Sequence, residues 1–143
     1  MKSKTILIAY QDELGTRSLS TFFHSIGYKV EATKAISEMI RRVRKGNIQL
    51  ILIDDEIEGV KACDVVPLLK NIQPKIQIIV ISSEESINLV RRLREAGIFY
   101  QAMKPVDLRE VKSAVECAFE KIEREKVKEG FFSFLLAPEM VPA

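Results

Sequence analysis

Three short runs of branched aliphatic residues limit what this chain can fold into. Ile6-Leu7-Ile8-Ala9, Leu50-Ile51-Leu52-Ile53 and Ile78-Ile79-Val80-Ile81 are apolar at every position. A strand exposed on one side would alternate apolar and polar residues. Unbroken runs of this length instead predict strands covered on both sides, as in a parallel sheet between two layers of helix.

The intervening segments have helical spacing. Leu19, Phe22, Phe23 and Ile26 recur at i, i+3, i+4 and i+7, and Gly27 ends that pattern. A second stripe comprises Ala32, Ala35, Ile36, Met39, Ile40 and Val43, closed by Gly46-Asn47. Ala62, Val65, Val66, Leu69 and Ile72 predict a third helix, in which Pro67 should cause a kink or a late start. Ser83 is expected to cap a fourth helix with Ser86, Leu89, Val90 and Leu93 inward, before Gly97. Asp107 should cap the last, whose stripe is Val111, Ala114, Val115, Ala118 and Ile122. Weaker strands are expected over 28–31 and 98–103. Five strands thus alternate with five helices, the pattern of an α/β, doubly wound parallel sheet with right-handed crossovers.

Composition narrows the function. The chain has 143 residues and a formal charge of +2, which predicts one domain and gives no reason to expect nucleic acid or a membrane as partner. The basic clusters Arg41-Arg42-Val43-Arg44-Lys45 and Arg91-Arg92-Leu93-Arg94 read as solvated helix faces. Cys63 and Cys117 fit no metal-binding spacing and read as free thiols of a cytoplasmic protein. His24 is the sole histidine, too little for a histidine zinc site or a Ser-His-Asp triad. No stretch approaches the ~18 apolar residues of a membrane span.

Open parallel sheets bind ligands beyond the carboxyl ends of their strands. Here those ends deliver Tyr10-Gln11-Asp12-Glu13, Asp54-Asp55-Glu56, Ser82-Ser83 and Met103-Lys104-Pro105. A carboxylate, a hydroxyl and an ammonium from three strands are therefore expected on one edge. Polarity at a strand end alone means only that the chain meets water there; the joint pattern says more.

Leu50-Ile51-Leu52-Ile53-Asp54, Ile78-Ile79-Val80-Ile81-Ser82-Ser83 and Lys104-Pro105-Val106-Asp107-Leu108, in this order, resemble the receiver domain of response regulators in two-component signalling. The resemblance covers about residues 4–123. It implies a flavodoxin-like fold with strand order 2-1-3-4-5 and no enzymatic activity beyond the phosphorelay. It implies that Asp54 accepts a phosphoryl group from a histidine kinase or phosphotransfer protein. A carboxylate oxygen is a usable nucleophile, and the acyl phosphate is labile enough to serve as a signal. Ser82 would hydrogen-bond the phosphoryl group, and Lys104 would contact it as a point charge. The peptide bond from Lys104 to Pro105 would be cis.

Two departures matter. The family's first strand usually ends in an acidic pair that holds Mg²⁺, and here Tyr10 and Gln11 fall at that pair. A metal, if held, would need Asp54, Asp12 from a rearranged loop, and Glu56. The family's aromatic switch position falls on Gln101, and strand alternation prevents the neighbouring Tyr100 from replacing it. The sequence therefore supports a phosphoryl-accepting receiver, with a pseudo-receiver that binds partners without phosphorylation as the alternative. A flavin-binding enzyme would need a Gly/Ser/Thr-rich phosphate loop after the first strand, which Tyr10-Gln11-Asp12-Glu13 does not supply.

Residues 1–125 are read as the receiver and 126–143 as a helix extension with an apolar tail. The last helix is expected to reach Glu129 and break at Gly130. The tail over 131–137 either folds back on the domain or docks onto a second copy or a target. About 20 residues cannot form an output domain, so output is expected through protein contact, with a homodimer or a downstream protein as partner. The usual partner surface in the family is the fourth helix, fifth strand and fifth helix.

Overall fold

The computed structural model describes residues 4–83 and 85–136. Its elements, in chain order, are β1 (Thr5–Ala9), α1 (Glu13–Ser25), β2 (Lys29–Thr33), α2 (Ile36–Lys45), β3 (Leu50–Asp54), β4 (Glu56–Ile57), β5 (Val60–Lys61), α3 (Ala62–Ile72), β6 (Gln77–Ser82), α4 (Ile87–Ala96), β7 (Tyr100–Met103) and α5 (Leu108–Leu136). The main sheet is parallel, in the order β2-β1-β3-β6-β7. This is the doubly wound arrangement the aliphatic runs demanded.

Strand alternation divides the core in two. Leu7, Ala9, Ile51, Ile53, Ile78 and Val80 face Met39 and Val43 of α2, Val66 and Leu69 of α3, and Leu93 of α4. Ile6, Ile8, Leu50, Leu52, Ile79 and Ile81 face Leu19 and Phe23 of α1, and Val111, Val115 and Phe119 of α5. Every residue of β1, β3 and β6 is buried. Burial of each large aliphatic side chain among them stabilises the fold by about 1.5–3 kcal/mol. The central strands are thereby pinned, and the polar residues at their ends meet at one edge.

Several local expectations are corrected. Ala32 belongs to β2, and Ile26 lies beyond α1, 41% exposed. Helix α3 starts at Ala62, ahead of Pro67, so there is no late start. Ser83 does not cap α4. The cap position is Ser86, which is exposed, and the helix starts at Ile87. A two-stranded hairpin, β4–β5, follows β3. Its turn residues Glu58 and Gly59 have φ of 50° and 78°, the left-handed pair that a tight two-residue hairpin requires. The Glu58 carboxylate accepts from the Ile36 N–H, capping α2 from outside.

Helix α5 does not break at Gly130. It continues to Leu136, because one glycine costs only about 1 kcal/mol against the helix formers around it. Phe131, Phe132, Phe134, Leu135 and Leu136 are exposed, so this part of the tail does not fold back on the domain. Ala137, Pro138 and Pro142 lie outside the described residues.

Leu52, fully buried in the central strand, tests the layered core. Leu52→Ala should lower unfolding free energy by about 2–5 kcal/mol in urea titration. Leu14→Ala, at a position 74% exposed, should change it by less than about 0.5 kcal/mol.

Candidate functional site

Asp54 is the last residue of β3 and is 5% exposed. Its Oδ2 accepts from the Gln11 N–H at 3.0 Å and its Oδ1 from the Asp55 N–H at 2.7 Å. Lys104, just after β7, donates from Nζ to Asp54 Oδ1 at 2.6 Å. The Lys104 N–H donates to the Ser82 carbonyl at 2.9 Å, tying the ends of β6 and β7 together. The Lys104–Pro105 bond is cis, as the resemblance implied.

Ser82 ends β6 and is 1% exposed. Its hydroxyl donates to the carboxylate of Asp55. Asp55 Oδ2 also accepts from the Ser83 N–H at 2.9 Å and the Ser83 hydroxyl at 3.0 Å, and it lies 3.4 Å from Lys104 Nζ. Asp54, Ser82 and Lys104 therefore do meet on one edge, joined by a fourth residue, Asp55, that sequence reasoning passed over. The only signal for it was the Asp54-Asp55 doublet. The same bonds explain why Ser83 is unavailable as the α4 cap.

The charges balance locally. Burial pushes the Asp55 carboxyl up, but the hydrogen bonds from Ser82 and Ser83 and the charge of Lys104 outweigh it and leave the group below its ordinary 3.8. Burial likewise disfavours the Lys104 ammonium, yet the Asp54 hydrogen bond and the negative charges around it raise its pKa. One cation thus serves two carboxylates in a partly dry pocket, where such pairs are worth more than at the surface.

The corner beside this cluster is occupied by Tyr10. Its ring centroid lies 5.3 Å from Lys104 Nζ, a cation–π approach. A Cβ on Gly15 would meet the ring at 2.5 Å, so glycine there lets the ring lie against α1. Burial is the main reason the Tyr10 hydroxyl has a raised pKa, and it stays neutral. Asp12 Oδ2 accepts from the Gly15 N–H at 2.8 Å as the cap of α1. Glu56 lies exposed in β4. Gln101 stands on β7, and Tyr100, on the opposite face, donates its hydroxyl to Glu110 at 2.9 Å.

Comparison with known proteins gives the family. The sequence pattern of the response regulator receiver domain matches residues 6–116. The chain belongs to the response regulator receiver family. It is 32% identical over 118 residues to the DNA-binding transcriptional regulator NtrC of Azospirillum brasilense, covering 82% of this chain and 24% of that protein. The receiver described here thus spans about a quarter of that relative's length. It is 26% identical over 117 residues to sporulation initiation phosphotransferase F of Bacillus subtilis (strain 168), covering 81% of this chain and 94% of that one. The fold is shared with a CheY-like receiver domain protein from Methanospirillum hungatei JF-1, at a TM-score of 0.79 and 21% identity over 86% of this chain and 98% of that one.

Receivers generally bind Mg²⁺ at an acidic pocket. The residues of this receiver do not fit that ion. Mg²⁺ wants near-octahedral oxygen ligands, and among the described residues no group of three acidic, histidine or cysteine side chains could hold a metal.

The sign of the Asp55 shift gives a test. A carboxyl with a folded pKa below its unfolded value adds stability above the unfolded value, and that stability is lost as pH falls through the folded one. Asp55→Asn should therefore make the receiver less stable near neutrality and flatten the decline below pH 3.8, as measured by urea unfolding across an acid series.

Proposed function

We propose that this receiver signals through protein contact, in the cytoplasm, without metal-assisted phosphorylation of Asp54. One observation carries the reading: the Tyr10 ring fills the corner beside Lys104, and Asp12 is tied into the α1 cap. Phosphoryl transfer to a carboxylate brings negative charge toward negative charge. Without a metal to neutralise it the step is slow. Fold and chemistry are separable, so a receiver can keep its shape while its site changes purpose.

A downstream protein fits as partner, and so does a second copy of the chain. The surface of α4, β7 and α5 supports either, because it continues into the exposed Phe131, Phe132, Phe134 and Leu135. Among the described residues no helix is long and apolar enough to cross a membrane.

The second reading, phosphoryl acceptance on Asp54 from a histidine kinase or phosphotransfer protein, is favoured by the 2.6 Å contact of Lys104 with Asp54 and by Ser82 on the same edge. Incubation with acetyl phosphate, with and without Mg²⁺, followed by intact-mass measurement separates the two. The expected result is no gain of a phosphoryl group under either condition. A stoichiometric, Mg²⁺-dependent gain that disappears in Asp54→Asn would select the second reading.

A further inference from the structure

The donors around Asp55 make up an oxyanion cradle. The Ser83 backbone N–H and hydroxyl donate to the Asp55 carboxylate, the Ser82 hydroxyl donates to it as well, and the Lys104 ammonium, bonded to Asp54, lies 3.4 Å from it. Two hydroxyls, an N–H and a cation are the set that recognises a phosphate-like oxyanion. None of these donors lies within a helix. They come from the ends of two different strands, held in register by the Lys104 N–H bond to the Ser82 carbonyl. The carboxylate they receive belongs to the chain itself. The Asp55 carbonyl accepts from the Ala62 N–H at 2.8 Å, which anchors the start of α3 to the same residue.

We propose that Asp55 is a built-in surrogate for an oxyanion, an intramolecular ligand that fills the Ser82–Ser83–Lys104 cradle and keeps external phosphate out. The occupied cradle fixes Ser82 and Ser83 in the arrangement that an external anion would otherwise impose. This rests on the reading of a receiver that works without phosphorylation, and it supplies the reason: the position an incoming phosphoryl group would need is already taken. Asp55 acts as a positioning residue through Ser82, Ser83 and Lys104.

An anion-rescue experiment on the full chain tests it. Inorganic phosphate is titrated into wild type and Asp55→Ala while the backbone amide resonances of Ser83 and Lys104 are followed by NMR. In wild type, millimolar phosphate should leave both unmoved. In Asp55→Ala the Ser83 amide should first shift from its wild-type position. Phosphate should then return it toward that position saturably, with an apparent affinity about tenfold or more above any seen in wild type, since a tethered competitor acts at millimolar effective concentration. Asp55→Glu should restore the wild-type behaviour, which a merely space-filling role would not require. Where Asp55→Ala fails to fold, Asp55→Asn, of matched volume and no charge, carries the same comparison. Equal response of wild type and variant to phosphate, or a Ser83 amide unmoved by removing the carboxylate, would overturn the proposal.

These outcomes are separate from those of the acetyl phosphate assay. That assay reads a covalent mass gain on wild type, whereas phosphate binding here reverses on dialysis. A phosphorylated wild type would remove the reading of function, and a cradle indifferent to Asp55 would remove the surrogate alone.

Discussion

The site depends on one lysine ammonium shared between two carboxylates. Lys104 Nζ lies 2.6 Å from Asp54 Oδ1 and 3.4 Å from Asp55 Oδ2, with Asp54 nearly buried. Without that cation, two negative groups from adjacent positions would repel one another across a partly dry pocket. With it, the repulsion is offset and each carboxylate finds its remaining hydrogen bonds. Asp54 takes the N–H groups of Gln11 and Asp55, and Asp55 takes Ser82 and Ser83. Among the described residues no buried side-chain nitrogen or oxygen lacks a partner. The hydrogen bonds of the cluster are thus satisfied within it.

The fold makes that closure geometric. The buried strands β1, β3 and β6 can shift neither register nor depth without exposing aliphatic surface, so their ends are fixed points. Tyr10, Asp54 and Ser82 are delivered by those ends, and Lys104 by β7, bonded to β6. Tyr10 then completes the pocket as a wall rather than a ligand, with its ring beside Lys104 and against α1. On the proposed reading, Tyr10 and Gln11 at the end of β1 and Asp55 in the cradle act in the same direction: the first would withhold the charge neutralisation that phosphoryl transfer needs, and the second would occupy the place where the group would sit.

Much of this was legible in the sequence, for identifiable reasons. Runs such as Leu50-Ile51-Leu52-Ile53 can satisfy themselves only as doubly covered strands. The sheet order and the meeting of Asp54, Ser82 and Lys104 followed from that. Asp55 was hidden because it lies one residue past the strand, where alternation no longer dictates direction. The chain bends there into a hairpin that turns at Glu58-Gly59. Ser83 was misread because a serine before an apolar helical stripe is a good cap unless a stronger acceptor, here the Asp55 carboxylate, claims it. Asp12, a metal candidate in the sequence, caps α1, as aspartate just before a helix commonly does. Gly130 misled in the other direction: local propensity favoured a break, and the helix formers on either side carried α5 through it.

The charge-sharing arrangement is tested most directly by a double-mutant cycle between Lys104 and Asp55. Unfolding free energies of wild type, Lys104→Met, Asp55→Asn and the double variant would be measured in urea at neutral pH. Groups that share one network couple by about 0.5–3 kcal/mol, and the account predicts a favourable coupling of about 1 kcal/mol or more. Costs that simply add, with coupling indistinguishable from zero, would mean that Lys104 serves Asp54 alone and that Asp55 is no part of the site.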